Sequence, residues 1–538
     1  MPRTMPFIPS ILCFILLVVS PLTSAMAETG PGYREVINDG SLTKLELHNG
    51  LTVVLSENHA APVVAFQMWV KVGSRNERDD EAGISHVFEH MLFKGTEKRG
   101  LGEIARAVET AGGNINAWTS FDQTVYHLAL ASRYFDTGLD VIADAIQNSS
   151  FDADELDREA EVVLEELKRS EDNPGRMVTR KLFETAYRVH PYRRPVIGYE
   201  ETFKQLTREH ILSYFHQWYR PNNMSLIVVG DFRTEAVIPK IVQAFQNFEP
   251  APPVSQDIPV EPEQKELRGE VLRRESNLTR LNMAYHIPGI RDERNPAFDL
   301  LGMILGQGET SRLYREVKRK RELVYGIAAY AYTPYDPGLL FLSAQLDSTH
   351  VEDAVTEILK QVQRLRVEPV SAEELNRAKI NVESDLINGK QTMQGQARRY
   401  GYDETLFGDP LHESEYLNAI SAVTAGEIMD IARHYLRPEN LTLTLLLPPG
   451  EREDLNRERL MALAAKESRR AEKVMSPADP AEVGVPRKVV LSNGIRLIVK
   501  ENHAVPSVSV KVAFLGGQRY EDEETSGVYN FIAQMLDR

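Results

Sequence analysis

The stretch GISHVFEHMLFKG at residues 83–95 decides how this chain is interpreted. Its apolar residues recur at the spacing of one helix face, so it predicts an amphipathic α-helix. His86 and His90 are four residues apart and therefore share a face, with Glu89 on the same side. Two imidazoles at this spacing can bind one tetrahedral zinc ion, and the neighbouring carboxylate can accept a proton from a zinc-bound water. The alternative is a helix that carries two surface histidines by coincidence.

A third metal ligand has to come from elsewhere in the chain. The only cysteine, Cys13, lies in the N-terminal apolar segment, so a carboxylate is the favoured ligand type. FDADELDREAEVVLEELKRSED at residues 151–172 predicts a second helix, with Asp152 as its N-cap. One stripe of that helix carries Glu155, Glu159, Val162 and Glu166. From these residues alone a solvated acidic face is the favoured interpretation, and no single glutamate stands out.

Length and composition are those of an ordinary globular protein with several domains. The chain has 538 residues, of which 42% are hydrophobic and 26% charged. The formal net charge is −16, and no basic tract interrupts it. Because phosphate binding needs a cluster of lysines and arginines, nucleic acid is excluded as the expected partner.

The N-terminus resembles a secretory signal peptide at residues 1–27. Arg3 provides positive charge, residues 7–19 are largely apolar, and Ala25-Met26-Ala27 offers a cleavage site. The alternative is an anchor that stays in the membrane, but the apolar run is shorter than the ~20 residues a spanning helix needs. We therefore expect export to the periplasm, or beyond the cell, and no stable membrane span after cleavage.

The chain repeats itself internally. Residues 44–73 and 488–517 align without a gap, and the pairs Asn49/Asn493 and Gly50/Gly494 keep the same offset. Both Asn-Gly pairs predict a tight β-hairpin turn. The second copy stops early, so the sequence predicts a fragment or a truncated product of a longer, two-copy protein.

Composition shifts divide the rest of the chain. Strand-like and helix-like stretches alternate over residues 41–235, where the zinc-binding domain is expected. Residues 236–266 are assigned to a linker, and a second α+β domain follows at 267–449. Residues 450–485 predict a helical or extended linker, and 486–538 begin the second copy.

Several stretches together resemble the pitrilysin/insulinase family of zinc metallopeptidases, which includes the mitochondrial processing peptidases. They are HVFEH, EAEVVLEE with Glu166, GGNINAWTSFDQTVY, HPYRRPVIGYEE and YRPNNMSLIVVGDF. The resemblance implies one zinc ion per chain, bound by His86, His90 and Glu166. It implies Glu89 as general base, Glu159 as a supporting glutamate, and a non-catalytic role for the domain at 267–449. It also implies that Asn116, Ala117 and Thr119 form an edge strand that pairs with the substrate backbone.

The resemblance further implies an α+β fold of tandem two-layer units, each an antiparallel sheet packed by helices, whose halves enclose a chamber for peptides or small unfolded proteins. In the second copy the motif positions hold Asn530, Ala533 and Gln534, so that copy is expected to be silent. The missing second half, or a partner subunit, would then close the chamber. The rival hypothesis is a non-catalytic or partner-dependent member that acts in peptide binding or assembly.

Overall fold

The computed structural model describes residues 32–254, 256–474, 487–499, 512–513, 522 and 527–528. The chain divides into two compact units, residues 1–475 and 476–538. The signal-peptide segment 1–27 and the positions Asn530, Ala533 and Gln534 lie outside the described residues. Among the helices of the described part, none has the length and apolar character to cross a membrane.

The larger unit begins with a seven-stranded sheet in which only one neighbouring pair is parallel. Its strands are β1 (Tyr33–Asn38), β2 (Thr43–Leu47), β3 (Thr52–Glu57), β4 (Val63–Val70), β5 (Asn114–Thr119), β6 (Thr124–Ala131) and β7 (Met224–Gly230). The spatial order is β1-β2-β3-β7-β4-β6-β5, with β3 and β7 parallel. Gly50, at φ 85°, makes the tight turn from β2 to β3. The strand β5 forms one edge, and its outer side pairs with no strand of the described chain.

Eight helices accompany this sheet. They are α1 (Ile84–Met91), α2 (Glu103–Thr110), α3 (Phe135–Asn148), α4 (Ala153–Glu171), α5 (Pro174–Ala186), α6 (Glu200–Phe203), α7 (Arg208–Trp218) and α8 (Thr234–Phe245). The helices α1 and α3 contact β6, and their apolar faces join the largest hydrophobic core. The helix α8 extends this layer into the segment that the sequence assigns to a linker.

A second sheet, with five strands, follows within the same unit. Its strands are β8 (Arg268–Arg273), β9 (Thr279–Ile287), β10 (Gly326–Tyr332), β11 (Gly338–Leu346) and β12 (Leu441–Leu447). The order is β10-β11-β9-β12-β8, and only β12 and β8 are parallel. Its helices are α9 (Asn295–Gly306), α10 (Val351–Val367), α11 (Ala372–Gly389), α12 (Met393–Phe407), α13 (Glu413–Ala422), α14 (Ala425–Tyr435) and α15 (Arg457–Val474).

Each sheet is covered on its back by a helix from the other sheet's half of the unit. The helix α12 lies against β4 and β7, where Met393 and Ala397 pack around Trp69. In return, α5 packs on β9 and β12. The nearly buried Lys44 Nζ binds Glu404 Oε2 at 2.7 Å and so ties β2 to α12. Because both faces are covered, β7 is buried along its whole length.

The fold expected from the sequence is confirmed in class: antiparallel-dominated sheets packed by helices. The exchanged helices α5 and α12 add a third layer that the two-layer expectation did not contain. In the smaller unit, β13 (Arg487–Val490) and β14 (Arg496–Val499) form an antiparallel hairpin. Its turn contains Gly494 at φ 86°, close to the φ of Gly50 in the first copy.

Candidate metal centre

The helix α1 is fixed at its start by a glycine and a buried carboxylate. Gly83 precedes the helix at φ 102°, and a Cβ there would lie 2.8 Å from the carbonyl oxygen of Ile197. The Glu77 carboxylate accepts the backbone N–H of Gly83 at 2.8 Å and of Ser85 at 2.9 Å. These contacts satisfy donors at the helix N-terminus that have no partner within the helix.

The rotation of α1 about its axis is fixed by an aromatic cluster around Phe88. Its ring lies 4.2 Å from Tyr219 and 4.8 Å from Phe151, measured between centroids. With this face in the core, the opposite face presents His86 and His90, whose ring centroids are 4.8 Å apart. The helical spacing in the sequence therefore places both imidazoles on the same face of α1.

Glu166, on α4, meets both imidazoles from the facing helix. Its Oε2 lies 3.8 Å from His86 Nε2 and 3.6 Å from His90 Nε2. One ligand atom from each of the three residues lies within 4.8 Å of the other two. Ligands about 2.1 Å from a tetrahedral zinc ion are about 3.4 Å apart, so the donor types and their spacing fit zinc.

Glu159, two turns before Glu166 on α4, contacts the ring nitrogen of His90 that faces away from Glu166. Its Oε2 lies 3.2 Å from His90 Nδ1, and its Oε1 binds Lys94 Nζ. If Nδ1–H donates to this carboxylate, the lone pair of Nε2 is free to face Glu166. Because the Glu159 side chain is only 8% exposed, water competes little with these two partners.

His86 and Glu89 have pKa values displaced by burial. Burial, and next the neighbouring His90, lower the pKa of His86 to about 4, although Glu166 opposes the shift. The imidazole is therefore neutral at pH 7, the form that binds metals. Burial also raises the pKa of Glu89, and hydrogen bonding from Thr119 opposes this rise. The charges of His90 and Glu166 also act on this carboxylate, His90 lowering and Glu166 raising the pKa of Glu89.

The other sequence-derived residues lie on β5, beside α1. Ala117 packs against the core that contains α1, whereas Asn116 is exposed. Thr119 Oγ1 lies 3.5 Å from the Ser85 carbonyl oxygen. The C-terminal end of β5 thus lies beside the part of α1 that carries His86.

Comparison with known proteins agrees with these features. The model described as "Insulinase (Peptidase family M16)" matches residues 52–200, and "Peptidase M16 inactive domain" matches residues 205–382. The chain belongs to the insulinase family of peptidases. The resemblance seen in the sequence is thereby confirmed, and the first match contains α1 and Glu166.

Relatives within the insulinase family cover most of the chain. An uncharacterized zinc protease of Rickettsia felis is 29% identical over 408 residues, which are 76% of this chain and 97% of the relative. The crystal structure of a protease from Helicobacter pylori has a TM-score of 0.71 at 26% identity and covers 76% of this chain and 99% of that one. The fold also matches the periplasmic protease PqqL from Escherichia coli, with a TM-score of 0.68 at 19% identity, over 88% of this chain and 57% of PqqL.

Two contacts of this insulinase-family site were missed from the sequence. Lys94, which binds Glu159, lies four residues after His90, so helical spacing alone gave a signal for it. Glu77 lies outside any helix pattern, and its role depends on a turn that brings it back to Gly83. No periodicity in the sequence indicates such a contact.

Gly83 provides a test of how firmly α1 is placed. Gly83→Ala should lower the free energy of unfolding by at least about 2 kcal/mol, because the new Cβ combines a strained φ with a clash against backbone. The matched control is Gly102→Ala at the start of α2, where φ is 74° but nothing lies within 4 Å of the new Cβ. That change should cost about 1 kcal/mol in urea denaturation. Equal losses in the two variants would contradict the packing argument.

Proposed function

We propose that this protein is a zinc-dependent endopeptidase that hydrolyses peptides or small unfolded proteins. The convergence of His86, His90 and Glu166 on one point, with Glu89 beside it, carries the proposal. Membership of the insulinase family and the zinc-protease names of its relatives support it. The inactive-domain model matches residues 205–382, so catalysis is assigned to the part of the chain before residue 205, which holds all four of these residues.

Three side chains would hold one zinc ion: His86 and His90 through Nε2, and Glu166 through Oε2. When bound, zinc supplies a Lewis acid that acidifies a water molecule and polarises a carbonyl group. Glu159 would act through His90, because its bond to Nδ1 selects the tautomer that leaves Nε2 as a donor to the metal. Lys94 neutralises the other oxygen of that carboxylate.

Glu89 would serve as the general base. Its carboxylate accepts a proton from the attacking water and returns it to the leaving amine, which becomes a good leaving group only when protonated. The contact with Thr119 orients the carboxylate toward the end of β5. Proton transfer therefore takes place where a peptide bound to that strand would pass.

The substrate would bind as an added strand along β5. The outer edge of β5 pairs with no strand among the described residues, and Asn116, Ala117 and Thr119 lie on this strand. The Ala117 N–H donates to the Asn116 side-chain Oδ1 at 2.8 Å, a contact that an added strand would replace. Pairing through the backbone holds an extended chain with little demand on its sequence. An added strand requires an unfolded substrate. A second peptidase-like half, in the same polypeptide or in a partner subunit, would close over this strand.

Replacing the general base should separate chemistry from metal binding. Glu89→Gln should lower kcat by about 10²–10⁴-fold, because the amide cannot accept the proton, while zinc stays bound. The measurements are cleavage of an unfolded casein substrate and the zinc content by atomic absorption. Glu97→Gln, an exposed carboxylate just beyond the helix, serves as control. Near-normal turnover in the Glu89 variant would exclude this residue as the base.

Zinc affinity tests the ligand set without any need for activity. Glu166→Gln should weaken zinc binding by more than about 100-fold, and Glu159→Gln by about 10–100-fold, as expected for a ligand and its outer partner. Glu165→Gln is the matched control, since that neighbouring side chain is exposed and pairs with Lys168. Competition against a chromophoric chelator gives all three values. Similar zinc affinity in the Glu165 and Glu166 variants would support the non-catalytic rival.

We further propose that the protein works in the periplasm after removal of residues 1–27. The support is the signal-like N-terminal sequence together with the fold shared with the periplasmic protease PqqL. Expressed from its own start codon, the protein should appear in the periplasmic fraction with Glu28 as its first residue. Intact Met1 on protein in the cytoplasmic fraction would argue against export.

A further inference from the structure

A groove of about 800 Å³ lies on the side of β5 and β6 that faces α11 and α12. It borders the free edge of β5 but lies on the opposite face of the sheet from α1. Its walls include Asn114, Trp118, His127, Gln394 and Arg398. None of these side chains belongs to the metal cluster, so the proposed catalytic role of the cluster does not account for the groove.

The side chains of β5 alternate between the two faces of the sheet. Ile115 and Ala117 pack into the core that contains α1, whereas Trp118 packs with the cluster that contains α12. The register with β6 places Asn116 opposite His127, on the groove side. A peptide strand added to this edge would alternate in the same way, with every second side chain toward the groove.

Arg398 is the cation of this groove that is left without a carboxylate. Its guanidinium lies 4.8 Å from the Trp118 ring centroid, and it pairs with no acidic side chain within the described residues. By contrast, Lys390 binds Glu413 and Arg399 binds Asp403. Arg398 therefore offers its N–H donors at the mouth of the groove, next to the edge strand.

The floor beneath Arg398 is held by hydrogen bonds. Gln67 Nε2 donates to Gln394 Oε1 at 2.9 Å, and Gln394 Nε2 lies 3.2 Å from His127 Nδ1. The Trp118 ring contacts the rings of His127 at 5.1 Å and Trp69 at 5.7 Å between centroids. The Trp118 ring under Arg398 is thus packed against two other aromatic rings, and one of these, His127, also contacts Gln394. A platform that is already ordered loses little conformational freedom when a ligand binds, which suits a binding site.

We propose that this groove is a specificity subsite for an acidic side chain of a peptide bound along β5, with Arg398 binding the carboxylate above the Trp118 platform. The inference rests on the proposed function, because it takes β5 as the strand that holds the substrate. Asp385, on α11, also lines the groove and pairs with no cation in the described chain. Since Arg398 stacks on a β5 residue and Asp385 does not, the cation is the nearer charge for a strand at this edge.

The test uses the full chain with zinc, in a Glu89→Gln background that prevents cleavage. Fluorescein-labelled ten-residue peptides carry Asp, Ser or Lys at every second position, so that one face of the extended peptide is uniform. By anisotropy, the Asp peptide should bind about tenfold more tightly than the Ser peptide, as expected for a charge-assisted contact. The preference should shrink in 0.5 M salt.

Charge reversal identifies the residue responsible. Arg398→Glu should abolish the preference for Asp and favour the Lys peptide, whereas Asp385→Asn should strengthen the preference for Asp. The matched control is Arg133→Glu, because Arg133 also stacks on an aromatic ring, that of Tyr134 at 4.9 Å, but lies outside the groove. This control should bind all peptides as the parent does.

The outcomes separate the subsite from the catalytic proposal. An Asp preference that is unchanged by Arg398→Glu, or no binding of any peptide, would overturn the subsite. If the charge preference follows Arg398 but the chain with Glu89 intact and zinc present cleaves none of the peptides, the endopeptidase proposal fails. In that case the groove is a subsite for acidic side chains in a protein that binds peptides without cleaving them.

Discussion

The packing of α1 against α4 is the constraint on which the rest of the structure depends. A metal site built from two helices requires that both be placed to within a fraction of an ångström, since Zn–ligand distances vary little. Here one helix is fixed in rotation by Phe88 and at its start by Glu77 and Gly83. The facing helix is held to it by Glu159, whose carboxylate spans His90 and Lys94. The core thus fixes the cluster before any metal binds.

The exchanged helices solve a second problem, which is how to keep one strand edge free. A sheet with an open edge is prone to pair with other chains, and the usual protection is to cover it. In this protein α12 covers the back of the sheet, whereas the outer edge of β5 pairs with no strand in the described part of the chain. The Lys44–Glu404 pair holds α12 there, so the second half of the unit supports the proposed site although none of its described residues belongs to the metal cluster.

Sequence reasoning succeeded where the relevant information is local. The pairing of His86 with His90 follows from helical spacing, and the Asn-Gly hairpins follow from the φ > 0 that the turn requires. The choice of Glu166 over Glu155 came only from family resemblance, because the glutamates on α4 share one stripe and only the tertiary contact with α1 distinguishes them. The exchange of α5 and α12 and the contact of Glu77 with Gly83 join residues distant in the sequence, and no periodicity encodes them.

In the proposed binding mode, the two faces of β5 would serve two purposes, catalysis and recognition. Pairing at a strand edge uses the backbone N–H and C=O groups of the peptide, which nearly every residue has in the same positions. Such pairing therefore confers affinity with little selectivity for sequence. Selectivity must therefore come from the side chains on either side of the added strand. On one side the peptide would meet Glu89 and the metal cluster, where space is needed for the reaction. On the other side it would meet Trp118 and Arg398, which can discriminate between side chains without disturbing the positions of the reacting groups.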